Sequence, residues 1–350
     1  MTDQLYDRIL GSLAAAGMGD ALGAATEQWS TAEIYAQYGG PLRHFVEPPP
    51  DTFSGAIGNK LGQITDDTSQ MYYLAQTLID VDGNLTNAAW VDCLLRWADE
   101  SPHVGNMGPS TLVVGRCAPA AIHTRWASWA ESTVKWPKWA PPMARPCCVA
   151  PAGLVNPGNF EAACQGALTT CLPSHNTQIA IGAACAIAAG VAALTDGADV
   201  YSVAKACLAG ARRGEELAAE KGAWLPVPAW WPAQNWPLTW PSKRPAWNRS
   251  CTTLKPTSAT QVDVCESGPA AIGLFVYAGG DPIESIVGGA NIGNDTDTIA
   301  AIAGSLAGAL RGFAALPHDM FQTFKTANAH EFDVEELARG LTKIARQRLS

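Results

Sequence analysis

The chain has 350 residues, of which 16% are charged and 47% hydrophobic. Disordered chains show the reverse balance, so a folded core is expected, and the length suffices for one large domain or two smaller ones. A net charge of −9 argues against a general nucleic-acid binder and against an anionic membrane surface, both of which attract basic faces.

Helix signals run along the chain and strand signals are scarce. A first helix is expected near residues 5–22, uncharged from Leu10 to Thr26 except for Asp20, with Glu27 seven residues beyond that Asp. Thr65 can cap a helix through Asp66–Leu78, and Thr86 one through Asn87–Glu100. Further helices are expected near 159–171, 176–195, 199–220, 269–279 and 296–312. Asp281-Pro282-Ile283-Glu284 is a start signal of capping Asp, Pro at the first helical position and Glu at the third. A final helix opens at Asp333 or Val334.

Ala162 to Thr195 contains no charge. Its most apolar part, Gln178 to Thr195, is barely long enough for a membrane span of roughly 20 residues, and its Ala, Gly and Ile composition reads as a buried helix. Two rows of small residues at four-residue spacing, Gly182/Ala186/Gly190 and Gly304/Gly308/Gly312, predict closely approaching helices inside a large bundle. The ten cysteines lack CxxC spacing. They read as reduced, mostly buried thiols, and zinc is not expected. The opening residues hold no basic segment followed by an apolar run, so a cytoplasmic location is expected. Ten of the 13 tryptophans fall in two Pro-rich stretches, about 126–146 and 224–256. These read as long loops whose rings either pack on the helical body or wall a pocket.

With so little charge, clustered acids stand out. Asp66-Asp67 and Asp295-Thr296-Asp297 each open an apolar helix, and no Lys or Arg occurs between Lys60 and Arg96 or between Lys255 and Arg311. One acid at a helix start is a cap or a dipole partner. Two like charges at the edge of an apolar core are costly unless something positive joins them. A hard divalent cation is the natural partner for carboxylate and hydroxyl oxygens. Four Asp with Thr65 and Thr298 would hold two ions, provided that residues 65–67 and 295–298 meet.

At these residues the chain resembles the ADP-ribosylglycohydrolase family. Gly11 through Glu27, GSLAAAGMGDALGAATE, is similar to the family's opening G-D-A-x-G with a Glu seven residues after its Asp. Thr65-Asp66-Asp67-Thr68 is similar to its S/T-D-D-T. Gly105-Asn106-Met107-Gly108-Pro109-Ser110-Thr111 looks like its Gly-rich substrate loop. Ala150-Pro151-Ala152-Gly153 followed by Ser174-His175, and Asp295-Thr296-Asp297-Thr298-Ile299-Ala300-Ala301, complete the ordered set. Departures are Asn294 where many members have Gly, Ser174-His175-Asn176 for the usual Thr-His-Gly/Asp, and the two Trp-rich stretches.

The resemblance implies an all-α fold, one large helical domain over residues 1–350 with a central dinuclear Mg²⁺ or Mn²⁺ site; the two Trp-rich stretches read as loops inserted into it. It implies hydrolysis of a ribosyl glycosidic bond. Thr65, Asp66, Asp67, Asp295, Asp297 and Thr298 would ligate the metals. Glu27 would sit beside them as an acid/base or water-positioning group, with Asp66 or Asp67 in reserve as the base. Asn106, Gly108, Ser110 and Thr111 would hold phosphate or ribose, and His175 is either a substrate contact or a core histidine. The substrate is an ADP-ribosylated macromolecule or, alternatively, a nucleoside or other small ribosyl compound. A third possibility is a non-catalytic ADP-ribose-binding protein.

Overall fold

A computed structural model describes residues 3–50, 52, 56–103, 146–221 and 264–350. Among them there are thirteen α-helices and no strand; the one β-bridge is an isolated antiparallel pair, Ser30 with Gly293.

The molecule is organised around two helices distant in sequence. α1 (Gln4–Gly23) packs antiparallel on α11 (Thr296–Arg311), backbone against backbone. Gly11 and Gly308 face each other at one end, Ala15 and Gly304 next, then Gly19 and Ala300, and finally Gly23 against Thr296 and Asp297. The approach is so close that a Cβ on Gly308 would lie 2.0 Å from the Gly11 carbonyl oxygen, and one on Gly19 2.4 Å from that of Ala300. No L side chain fits there, which is why the row of small residues exists. Ser12 and Ser305 bridge the same seam with a 2.8 Å hydrogen bond. Gly312, the third member of the sequence row, lies just past the helix with φ +79°.

A second pair repeats the device. α7 (Gln178–Thr195) lies against α8 (Val200–Lys221), where Gly210 and Gly214 meet the backbone of Cys185, Ile181 and Gly182, and Gly190 meets the Cys207 thiol. α7 is long and apolar enough to cross a membrane and is buried along its length. The seven cysteines whose side chains are described are free thiols, and six of them are buried.

Around these pairs stand α3 (Asp66–Asp80), α4 (Asn87–Glu100), α6 (Phe160–Cys171), α9 (Val264–Tyr277), α10 (Pro282–Ile292) and α13 (Val334–Leu349). α3 is tied to α1 by the Tyr72 hydroxyl, which donates to the Leu13 carbonyl (2.9 Å), and to α4 by Trp97 Nε1, which donates to Ser69 (2.8 Å). Asp281 caps α10 as expected, its side chain accepting from the Glu284 amide.

Four helices depart from the sequence expectation. α2 (Thr31–Tyr38), with its full Ser30–Glu33 capping box, α5 (Ala150–Leu154) and α12 (His318–Asn328) lie outside the expected set. α9 begins at Val264, not 269, with Pro269 inside it. A mid-helix proline forfeits one backbone bond, and the buried Val264 shows what the longer helix gains. The two Trp-rich stretches lie outside the described residues apart from the backbone of Pro146.

Candidate active site

The α1–α11 zipper delivers the C-terminal end of one helix to the N-terminal end of the other. Past Gly23 the chain turns through residues 24–28, and this turn is clasped to the segment before α11. Thr26 donates to the Ala290 carbonyl (2.7 Å) and Thr296 to that of Gly23 (2.9 Å). The Gln28 amide donates to the Asn294 carbonyl (2.7 Å), and the Asn294 amide to that of Trp29 (2.8 Å). Gln28 and Asn294 both adopt left-handed backbone, φ +66° and +64°. Asn tolerates that region better than most residues, which accounts for Asn294 at a position where the resembled motif has Gly. Glu27 is thus fixed on both sides, opposite Asp295.

α3 brings in the other acids. Thr65 caps it, its hydroxyl accepting from the Asp67 amide at 3.3 Å, and Asp66 and Asp67 form its first turn. The two acidic pairs meet: Thr298 Oγ1 donates to the Asp67 carboxylate at 2.6 Å across 231 residues. All six residues, Thr65, Asp66, Asp67, Asp295, Asp297 and Thr298, are buried, as is Glu27 at 7% exposure.

The electrostatics follow from that crowding. Burial, then the charges of Asp295, Asp66, Asp67 and Asp20, push the Glu27 carboxyl well above its ordinary range. Burial, then Glu27, Asp67, Asp295 and Asp20, do the same to Asp297. Asp20 is pushed up to about 7 by burial and by Asp67, against hydrogen bonds from Thr68 and Thr65. Repulsion of this kind falls when a cation enters or protons are taken up.

Among the described residues, no three Asp, Glu, His or Cys side chains are gathered tightly enough to hold an ion. The donor set still fits a hard cation: carboxylates and hydroxyls, with Glu27 Oε2 buried and without a hydrogen-bond partner. Thiols and imidazoles do not enter it.

Of the residues expected to touch substrate, His175 lies in the turn before α7, buried, with Nδ1 2.8 Å from Ser174 Oγ. Asn106, Gly108, Ser110 and Thr111 lie outside the described residues.

The model of the ADP-ribosylglycohydrolase family matches residues 1–349. The chain belongs to the ADP-ribosylglycohydrolase family. Members generally use divalent metal ions, and the family is one of glycohydrolases, so this ADP-ribosylglycohydrolase relative is a hydrolase of that kind. It is 25% identical over 357 residues to "Uncharacterized protein YegU" of Escherichia coli (strain K12), covering 98% of each chain. A solved structure described as an ADP-ribosylglycohydrolase-related protein complex superposes with a TM-score of 0.63 at 22% identity, covering 98% of this chain and 99% of that one. That likeness establishes the shared all-α fold of the ADP-ribosylglycohydrolases.

Proposed function

We propose that the protein is a metal-dependent hydrolase that cleaves the ribosyl glycosidic bond of an ADP-ribosylated substrate. The observation that carries this reading is the junction of the two acidic pairs through Thr298 and Asp67, with Glu27 beside them. Thr65, Asp66, Asp67, Asp295, Asp297 and Thr298 would hold two Mg²⁺ or Mn²⁺ ions. Bound there, the ions would supply Lewis acidity and fix the ribose hydroxyls.

The chain's own work would be proton transfer and positioning. Ribosyl cleavage passes through an oxocarbenium-like state, and the attacking water must lose a proton. Glu27, with one buried oxygen that no group hydrogen-bonds and a proton affinity raised by burial and by its acidic neighbours, is the base for that step. Asp66 and Asp67 stand in reserve. The clasp of residues 26–30 on 293–296 holds the Glu27 backbone, so its carboxylate meets the substrate without reordering a loop.

The test is turnover of an ADP-ribosylated protein and of a nucleoside panel, each with Mg²⁺, with Mn²⁺ and with chelator. Metal-dependent release of ADP-ribose is expected. Cleavage confined to nucleosides would replace the ADP-ribosyl substrate with a small ribosyl compound. ADP-ribose binding without turnover on either class would overturn hydrolysis.

A further inference from the structure

α1 buries one more carboxylate, to which the proposed chemistry gives no part. Asp20 is fully buried. Its two oxygens accept from the Thr65 amide at 3.2 and 3.1 Å, and Oδ2 also accepts from the Thr68 amide at 3.0 Å. Those N–H groups belong to the first turn of α3, the turn that carries Asp66 and Asp67. A cap's own side chain usually satisfies such amides. Here Thr65 takes the Asp67 amide, and the next one is left to a residue 48 positions away on another helix.

On its other flank the same stretch of α1 is wedged against α11. Gly19 and Gly23, on either side of Asp20, press on the Ala300 carbonyl and on the Asp297 backbone with no room for a Cβ. One turn of α1 therefore touches both helix starts that bear the acidic pairs. It grips α3 by hydrogen bonds and α11 by contact.

We propose that Asp20 is a positioning residue that fixes the spacing between Thr65–Asp67 and Asp295–Thr298. It acts through the amides of Thr65 and Thr68 and does not touch substrate. A carboxylate suits the task because both its oxygens accept. Asparagine offers one oxygen and turns an N–H₂ toward donors that need an acceptor. The proposal rests on the reading of the acidic pairs as cation ligands, but the strut can be tested without it.

Amide hydrogen exchange and Mn²⁺ binding by electron paramagnetic resonance would be measured on the wild type, Asp20→Asn and Asp66→Ala. In Asp20→Asn the amides of Thr65 and Thr68 should exchange at least about tenfold faster, while the Gln28 and Asn294 amides keep their protection. Mn²⁺ affinity should fall about tenfold, as expected when a group that orients a metal's ligands is lost. Asp66→Ala should weaken Mn²⁺ binding while leaving Thr65 and Thr68 protected. Wild-type protection at Thr65 and Thr68 in Asp20→Asn would overturn the proposal. So would loss of protection spread evenly over α1, α3 and α11, the signature of a merely structural acid. If the wild type binds no Mn²⁺, the cation reading fails, and exchange at Thr65 and Thr68 still decides the role of Asp20. Should Asp20→Asn not fold, Asp20→Ser, smaller and with one accepting oxygen, gives the same readouts.

Discussion

Glu161 on the surface and Glu27 at the centre are the same side chain in opposite surroundings. Glu161 is gripped by Arg213 through two hydrogen bonds of 3.0 and 2.9 Å, and these, with one from Gln165, bring its carboxyl down to about 2. Glu27 faces Asp295, Asp66, Asp67 and Asp20, and is pushed the other way. The same division runs through the described residues. Arg43 pairs with Glu284, Arg96 with Asp80 and Lys325 with Glu335, all on the outside. These three bases pair where water already screens them, and exposed pairs add little stability. Six acids, Asp20, Glu27, Asp66, Asp67, Asp295 and Asp297, are buried together at the centre, away from those bases. Crowding of this kind costs stability unless a cation or protons relieve it.

The sharpest way to break this contrast is Glu27→Gln. It should cut turnover about 10²–10⁴-fold, the usual worth of a general base, with KM little changed. The same substitution removes an uncompensated acid, so the chelator-treated variant should unfold at a higher temperature than chelator-treated wild type. An inactive variant that is also less stable would show that Glu27 is a structural residue.

Next in size is Gly308→Ala, which attacks the frame of the centre without touching an acid. The added methyl meets backbone on the facing helix, not a side chain that can swing away. Urea denaturation should show a loss of about 3 kcal/mol, at the upper end of overpacking costs.

A third outcome concerns pH. The Asp20 carboxyl is raised from its ordinary 3.8 to about 7 in the folded protein. The folded state therefore holds this proton more tightly than the unfolded one. The stability it contributes is complete below about pH 4 and is lost as pH rises through 7. Chelator-treated protein should become less stable by about 2 kcal/mol between pH 5 and 7.5. Mg²⁺ or Mn²⁺ should flatten that slope.

The smallest effect belongs to the surface. Glu161, with its lowered carboxyl, contributes stability present above about pH 4.5 and lost as pH falls toward 2. Screening by water keeps that contribution small, so Glu161→Gln at pH 7 should move the melting temperature by no more than about 1 °C. A large shift would mean that the two regions are less different than their surroundings imply.

Much of the site was legible because low charge made its acids conspicuous. Thr65-Asp66-Asp67 and Asp295-Thr296-Asp297-Thr298 were nominated on composition and spacing, subject to the condition that they meet; the Thr298–Asp67 bond meets it. Asp20 is visible as the lone charge in the run from Leu10 to Thr26, but its work depends on amides 45 and 48 residues away. No local pattern carries that. The Gly304/Gly308 row announced a close contact but not its partner, which is set by complementary gaps on α1. α2 was missed although Ser30 and Glu33 spelled out its capping box, because it is short and buries only Ile34. The start of α9 was misplaced because Pro269 reads as a beginning, and only tertiary burial of Val264 extends the helix past it.

The pairing of α1 with α11 has a consequence for how the protein is made. Ser12 and Ser305 touch although 293 residues separate them. At synthesis rates of about 5–20 residues per second, α1 waits roughly 15–60 s on the ribosome for the helix that covers it. During that interval its alanine- and glycine-lined face has no native cover. The candidate site is complete only when the last third of the chain closes over the first.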